Sequence, residues 1–187
     1  METLFIDKEI DYTGIQLAPH WIYKNFNIMG NSIVAFIGAC DVNLEHMVDI
    51  EDVINDEPIY SKKMLNIIEE NFDSTLVEMV YKQRLLVTIT KELIEKNYPQ
   101  VNIIRSGDDL FVNGKKLSVS IATKSITSTL IHFGLNIDAE GAPVNAADLT
   151  SDVGVNDVQK FALDLLYNYQ QEVKDIKLAA SKVRGVI

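Results

Sequence analysis

The feature that most constrains this chain is the dipeptide Asn113-Gly114, set between Leu110-Phe111-Val112 and Lys115-Lys116-Leu117. Asn-Gly between apolar runs signals a two-residue hairpin loop, because both loop positions need positive φ and these two residues tolerate it. Such a loop fixes the register. Val112 falls opposite Lys115, Phe111 opposite Lys116, Leu110 opposite Leu117 and Asp109 opposite Ser118. Side chains alternate along a strand, so Asp109, Phe111, Lys116, Ser118 and Ser120 are expected on one face. Leu110, Val112, Leu117, Val119 and Ile121 form the other, the natural core face.

A second strand is expected over Leu130 to Ile137. Ile131, Phe133, Leu135 and Ile137 are large and apolar, while His132, Gly134 and Asn136 point the opposite way. A glycine inside a strand marks close approach of a ligand or of another backbone. If the two strands are neighbours, Asp109, Lys116, Ser118, Ser120, His132 and Asn136 gather on one face. A solvent-facing antiparallel sheet would also carry polar residues there. These residues are mostly small, however, and one lysine is set against one aspartate, which suits a concave site for an anion.

Three amphipathic helices are expected beside this sheet. The first starts at Ser61, with Met64, Leu65, Ile68 and Phe72 inward. The second runs from Thr75 to Lys96, opened by a Thr75/Glu78 capping box and stopped by Asn97-Tyr98-Pro99. Its core line is Leu76, Val80, Gln83, Val87, Thr90 and Ile94. Gln83 interrupts that line, so it either satisfies buried backbone or points with Arg84 to a pocket or a subunit contact. The third helix begins near Asn156 with a stripe from Val158 to Ala180. Lys182 and Arg184 suit its dipole in the last turn, and Gly185 ends it. Ser32 to Ala39 is a near-continuous apolar run, expected as a buried strand. The fold class is therefore α+β: a mixed, mostly antiparallel sheet backed by helices on one face, with the Lys116 strand central. A chain of 187 residues fits a single domain, 1–187, with its core at about 30–150 and its C-terminal helix at about 156–184.

The net charge of −10 disfavours nucleic acid and anionic membrane surfaces as partners. No apolar run reaches the roughly 20 residues that span a bilayer, and the first residues lack the pattern of a signal peptide. The cytoplasm is the expected location. Cys40 is the only cysteine and reads as a buried inert thiol. Asp41, Glu45, His46, Asp49, Glu51 and Asp52 crowd one stretch. They suit either a divalent cation or a solvated loop, without the spacing of an EF-hand, and no metal ligand is assigned. His20 and Trp21 form either a lid or a packed corner.

The run Asp108-Asp109-Leu110-Phe111-Val112-Asn113-Gly114-Lys115-Lys116-Leu117-Ser118, with the later Gly134-Leu135-Asn136, resembles the catalytic core of biotin- and lipoate-protein ligases. Those enzymes carry an Asn-Asp-Leu strand, a short turn, a strand opening Lys-Leu or Lys-Val, and a later Gly-x-Asn. The resemblance places Lys116 on the lysine that contacts the carboxylate and phosphate of an acyl-adenylate, and Asp109 on the motif aspartate. ATP and Mg are implied as cofactors by the resemblance alone. The motif asparagine is Asp108 here, and no arginine- and glycine-rich loop precedes Gly30. The whole chain is also similar to an uncharacterised, largely archaeal family, through Ser32-Ile33-Val34-Ala35-Phe36, Gln83-Arg84-Leu85 and Lys116 to Ala122.

Two functions remain open at this point. One is an enzyme that binds or transfers a small carboxylate, acyl or acyl-phosphate ligand, with Lys116 and Asp109 catalytic. The other is a binding or assembly protein of the same fold without adenylation. Ser118, Ser120, His132, Gly134, Asn136, Gln83, Arg84 and Asp108 are the expected ligand-binding residues. The expected partners are a small anionic ligand and further copies of the chain.

Overall fold

The computed structural model describes residues 1–142 and 144–186. Three long strands form its frame: β2 (Ser32–Val42), β3 (Ile59–Asn71) and β8 (Thr129–Asp138). With β1 (Glu2–Ile6) and β7 (Ser118–Lys124) at the edges, they make one five-stranded sheet in the order β1-β2-β3-β8-β7. Only β1 and β2 are parallel; the other three pairings are antiparallel. The mixed, mostly antiparallel class therefore holds.

The expected helix at Ser61 is β3. Its apolar residues at Met64, Leu65 and Ile68 match helical spacing, and Ser61 resembles a cap. In fact β3 runs between β2 and β8 and is buried on both faces from Met64 to Asn71. A strand buried on both faces shows no alternation, and periodicity cannot tell it from a buried helix.

The other two expected helices are present. α3 (Leu76–Asn97) opens with the Thr75/Glu78 capping box, both reciprocal bonds being made. Its buried face differs at the start: Leu76 is exposed, and Met79, Leu86 and Leu93 join Gln83, Val87, Thr90 and Ile94 inside. α4 (Val158–Ser181) is capped by Asp157. Phe161, Ala162, Leu165, Tyr169 and Val173 are buried, whereas Ile176 and Ala180 lie on an exposed last stretch. The helix stops at Ser181, so Lys182 is its C-cap, and Arg184 and Gly185 lie beyond it.

α3 and α4 cover one face of the sheet, where Ile33, Leu65, Ile67, Phe133 and Leu135 meet the helices in the larger core cluster. Burying a Leu or Phe side chain stabilises by roughly 1.5–3 kcal/mol, so this layer holds the fold together. Glu69 is buried in it, accepting from Tyr169 Oη at 2.6 Å and from Asn71, with Lys82 Nζ at 3.7 Å. Burial pushes the Glu69 carboxyl up against the opposing influence of Lys82 and these hydrogen bonds.

The opposite face is also covered. Tyr12, Ile22 and Trp21 pack on Val34, Phe36 and Met64, with Trp21 opening a short helix α1 (Trp21–Phe26). Trp21 lies 5.8 Å from the Phe36 ring, and His20 stacks on Phe72 at 5.4 Å. These two residues are thus a packed corner, not a lid. Cys40 is buried here, its thiol pushed up to about 12 by burial and the Asp41 charge.

The hairpin belongs to a second, three-stranded sheet: β4 (Ile103–Ser106), β5 (Asp109–Val112) and β6 (Lys115–Lys116). Its register is the expected one, Phe111 opposite Lys116 and Val112 opposite Lys115, with positive φ at Asn113 and Gly114. The Lys116 strand is not central. Two residues long, it ends the small sheet, and its far edge bonds to the chain at Asn145 and Ala147.

After Lys116 the chain crosses to the large sheet. Leu117 bonds back to Leu110, and β7 then pairs with β8, Ser118 opposite Leu135 and Ser120 opposite Phe133. The crossing reverses the expected phase. Ser118 and Ser120 lie on the α3 side, while Val119 and Ile121 share the side of Gly134 and His132, so the six expected residues do not lie on one sheet face.

Candidate functional site

Beside the junction of the two sheets is a cleft of about 540 Å³, lined by Asp108, Asp109, Lys116, Ser118, Ser120 and Asn136 among others. Six of the ten sequence-derived site residues thus meet at one cavity, although they arrive from different sheets.

One wall is the hairpin. Lys116 Nζ lies 3.1 Å from Asp109 Oδ1, both side chains about one-third exposed. They sit diagonally across the β5–β6 pair, close enough for long side chains to meet. Behind them α3 supplies Gln83, buried, whose amide donates to Asp108 Oδ2 at 2.9 Å and to Ser120 Oγ at 2.7 Å. Gln83 therefore serves side chains of the cleft wall, not backbone. Arg84 Nη1 lies 3.0 Å from Asp108 Oδ1, an ion pair outside hydrogen-bonding direction. Gly107, at φ +63, lets the guanidinium pass: a Cβ there would stand 2.5 Å from Nη1. Ser118 accepts from Leu110 N at 2.9 Å and is buried, which pins β7 to β5.

The other wall takes Asp49 and Asp52 from the acidic stretch noted in the sequence, and adds Asp56 and Glu57, which the sequence did not single out. Asp49, Asp52, Asp56 and Glu57 line it, on and around a short helix α2 (Ile50–Asn55). Asp49 caps α2 by accepting from Glu51 N at 2.9 Å, and Asp56 closes it in the left-handed region. Asp49 preceding Ile50-Glu51-Asp52-Val53 is a capping signal that could have marked the helix. Burial raises the Asp52 carboxyl first, then the Asp49 and Glu57 charges, while Lys116 acts the other way. Among the described residues no group of three or more His, Cys, Asp or Glu side chains converges as metal ligands would.

The remaining expected site residues are engaged in structure. Asn136 lines the cleft, but its amide donates to the Ala147 carbonyl at 3.1 Å. The space above Gly134 is filled by Met64: a Cβ there would stand 2.2 Å from the Met64 sulfur, so the glycine admits a side chain, not a ligand or a backbone. His132 stacks on Tyr12 with ring centroids 3.6 Å apart, and its Nε2 lies 3.0 Å from Asn66 Oδ1. Burial pushes its imidazole down to about 3, so it is neutral. His132 faces a smaller chamber of about 40 Å³ that shares Asp49, Asp52 and Ser120 with the cleft.

A sequence profile described as "Domain of unknown function (DUF366)" matches residues 1–184. The chain belongs to the DUF366 family. An uncharacterized protein of Methanocaldococcus jannaschii is 37% identical over 192 residues, covering 100% of this chain and 86% of its own. The solved structure of a protein of unknown function from Pyrococcus horikoshi superposes with a TM-score of 0.92 at 37% identity, over 99% of this chain and 98% of that one. Biotin protein ligase from Aquifex aeolicus, in complex with biotin and ATP, superposes with a TM-score of 0.60 at 15% identity, over 94% of this chain and 72% of the ligase. Lipoate-protein ligase A bound with ATP gives 0.56 at 14% identity, over 93% and 86%. This DUF366 chain thus has the fold of biotin- and lipoate-protein ligases, and at these identities the likeness is one of fold. No helix among the described residues is long and apolar enough to cross a membrane.

Proposed function

We propose that the cleft binds a small molecule through an anionic end, a carboxylate, acyl or phosphate group, held by Lys116. The observation that carries this reading is the Lys116–Asp109 ion pair, half-open to a cavity of about 540 Å³. Lysine is a flexible point charge, and Asp109 holds it at the cleft mouth until an anion shares it. Gln83 and Asp108 steady the wall behind, acting as positioning residues.

Of the two functional classes, binding without adenylation is favoured. A polyphosphate entering this cleft would share it with Asp49, Asp52, Asp56 and Glu57, which have no ion-pair partner among the described residues. Like charges juxtaposed in this way oppose binding. Nor does the segment Asn25 to Met29, ahead of β2, contain the arginines and glycines that wrap a nucleotide in the ligases the chain resembles.

Calorimetric titration of a small acid recovered from the purified protein tests the reading. Lys116→Ala is expected to weaken binding roughly ten- to hundred-fold, since a charge-assisted bond contributes about 1.5–3 kcal/mol. Lys115→Ala is the control, because Lys115 points away and pairs with Asp152 at 3.0 Å. Equal affinities in all three proteins would remove Lys116 from the site. Release of pyrophosphate from ATP in the presence of that acid would overturn the non-adenylating reading.

A further inference from the structure

The charges around the cleft restrict what can occupy it. Six carboxylates line it against one lysine. Lys116 offsets Asp109, and Arg84 offsets Asp108 from behind. Four carboxylates, those of Asp49, Asp52, Asp56 and Glu57, have no ion-pair partner among the described residues. A purely anionic ligand reaching Lys116 would enter this field at a cost, whereas a ligand with a positive end would neutralise it.

We propose that the occupant is zwitterionic: a small carboxylate or phosphate compound that also carries an amine, with its anionic end at Lys116 and its cationic end at the α2 wall. This rests on the reading of Lys116 given above. The two ends of the site belong to one cavity, which Lys116 and Asp52 both line. An organic cation fits better than a divalent metal ion. A hard cation requires several oxygens gathered at about 2.0–2.6 Å, and no such group converges among the described residues. A protonated amine needs only one or two acceptors and tolerates carboxylates spread along a wall.

The test uses matched triplets of straight-chain probes at graded lengths: an ω-amino acid, the carboxylic acid lacking its amine, and the alkylamine lacking its carboxylate. Each is titrated calorimetrically at up to millimolar concentration into wild type, Lys116→Ala and the double variant Asp52→Asn/Glu57→Gln. At one length or more, the amino acid is expected to bind wild type at least roughly tenfold tighter than either partner. The double variant should lose that preference while still binding the acid, and Lys116→Ala should lose the acid. If the acid binds as well as the amino acid at every length, the amine is overturned and the role of Lys116 survives. If amines alone bind, or no probe binds, both readings fall.

Discussion

On the hairpin side of the cleft each carboxylate has a cation beside it; on the α2 side none of the four forms an ion pair among the described residues. Asp109 meets Lys116, and Asp108 meets Arg84 and the Gln83 amide. The α2 carboxylates instead lie on and beside a single short helix, from its N-cap Asp49 to Glu57 just past its C-cap. One wall is internally balanced and tied to α3 through the buried Gln83. The other carries negative charge that no cation among the described residues pairs with. A balanced wall positions, whereas an unbalanced wall selects.

Breaking the balanced wall should be costly. Gln83→Leu removes both hydrogen bonds from a buried position and strands Ser120 Oγ. The expected loss is about 1–3 kcal/mol, two hydrogen bonds at about 0.5–1.5 kcal/mol net each, read as a lower denaturant midpoint with an unchanged slope. A change within about 0.5 kcal/mol would mean that Gln83 does not hold the wall.

Gly107→Ala attacks the same wall from the loop. Its φ of +63 disfavours any side chain, and the new methyl would displace the Arg84 guanidinium. The cost is expected at about 1–2 kcal/mol. Combined with Arg84→Ala the two losses should not add, because both act on one ion pair.

Relieving the unbalanced wall should have the opposite sign and the smallest size. The Asp52 carboxyl is raised, so its ionised form opposes folding. That group favours the folded state at acid pH, and the advantage is lost as pH rises through its folded pKa. Asp52→Asn should therefore stabilise at neutral pH, by no more than about 0.5 kcal/mol, and more at low salt than at high. His132 works in the reverse direction. Its pKa falls to about 3 in the fold, so its contribution is complete above the ordinary histidine value and is lost as pH drops towards about 3. Acid titration of Asp52→Asn should thus show a steeper loss of stability than wild type. Parallel curves would show that the α2 wall carries little strain.

The two walls also differ in how legible they were. The hairpin is local: Asn113-Gly114 dictates its turn, and its register was readable up to Lys116. Legibility ended one residue later, at Leu117, where the chain changes sheets and Ser118 and Ser120 change sides. No sequence period carries that switch, because it is set by the packing of two sheets. The capping box of α3 was equally local, and so was found. β3 failed because Asn66, Glu69, Glu70 and Asn71 are polar yet buried, which erased any strand alternation. The acidic stretch was visible as composition, but nothing in it says that Asp49 and Asp52 would end up opposite Lys116. The resemblance to the ligases agreed with the fold class and the lysine already read from the hairpin register, and neither pointed to the α2 wall.

Met64 sets one boundary of this cleft. Its thioether fills the space above Gly134 and lines the cavity with Asn136. An unbranched side chain of this kind adapts its shape readily, so the depth of the cavity is an adjustable quantity. Met64→Ala should deepen the floor and admit longer probes, whereas enlarging Gly134 would force the sulfur out over the cleft and shorten what fits.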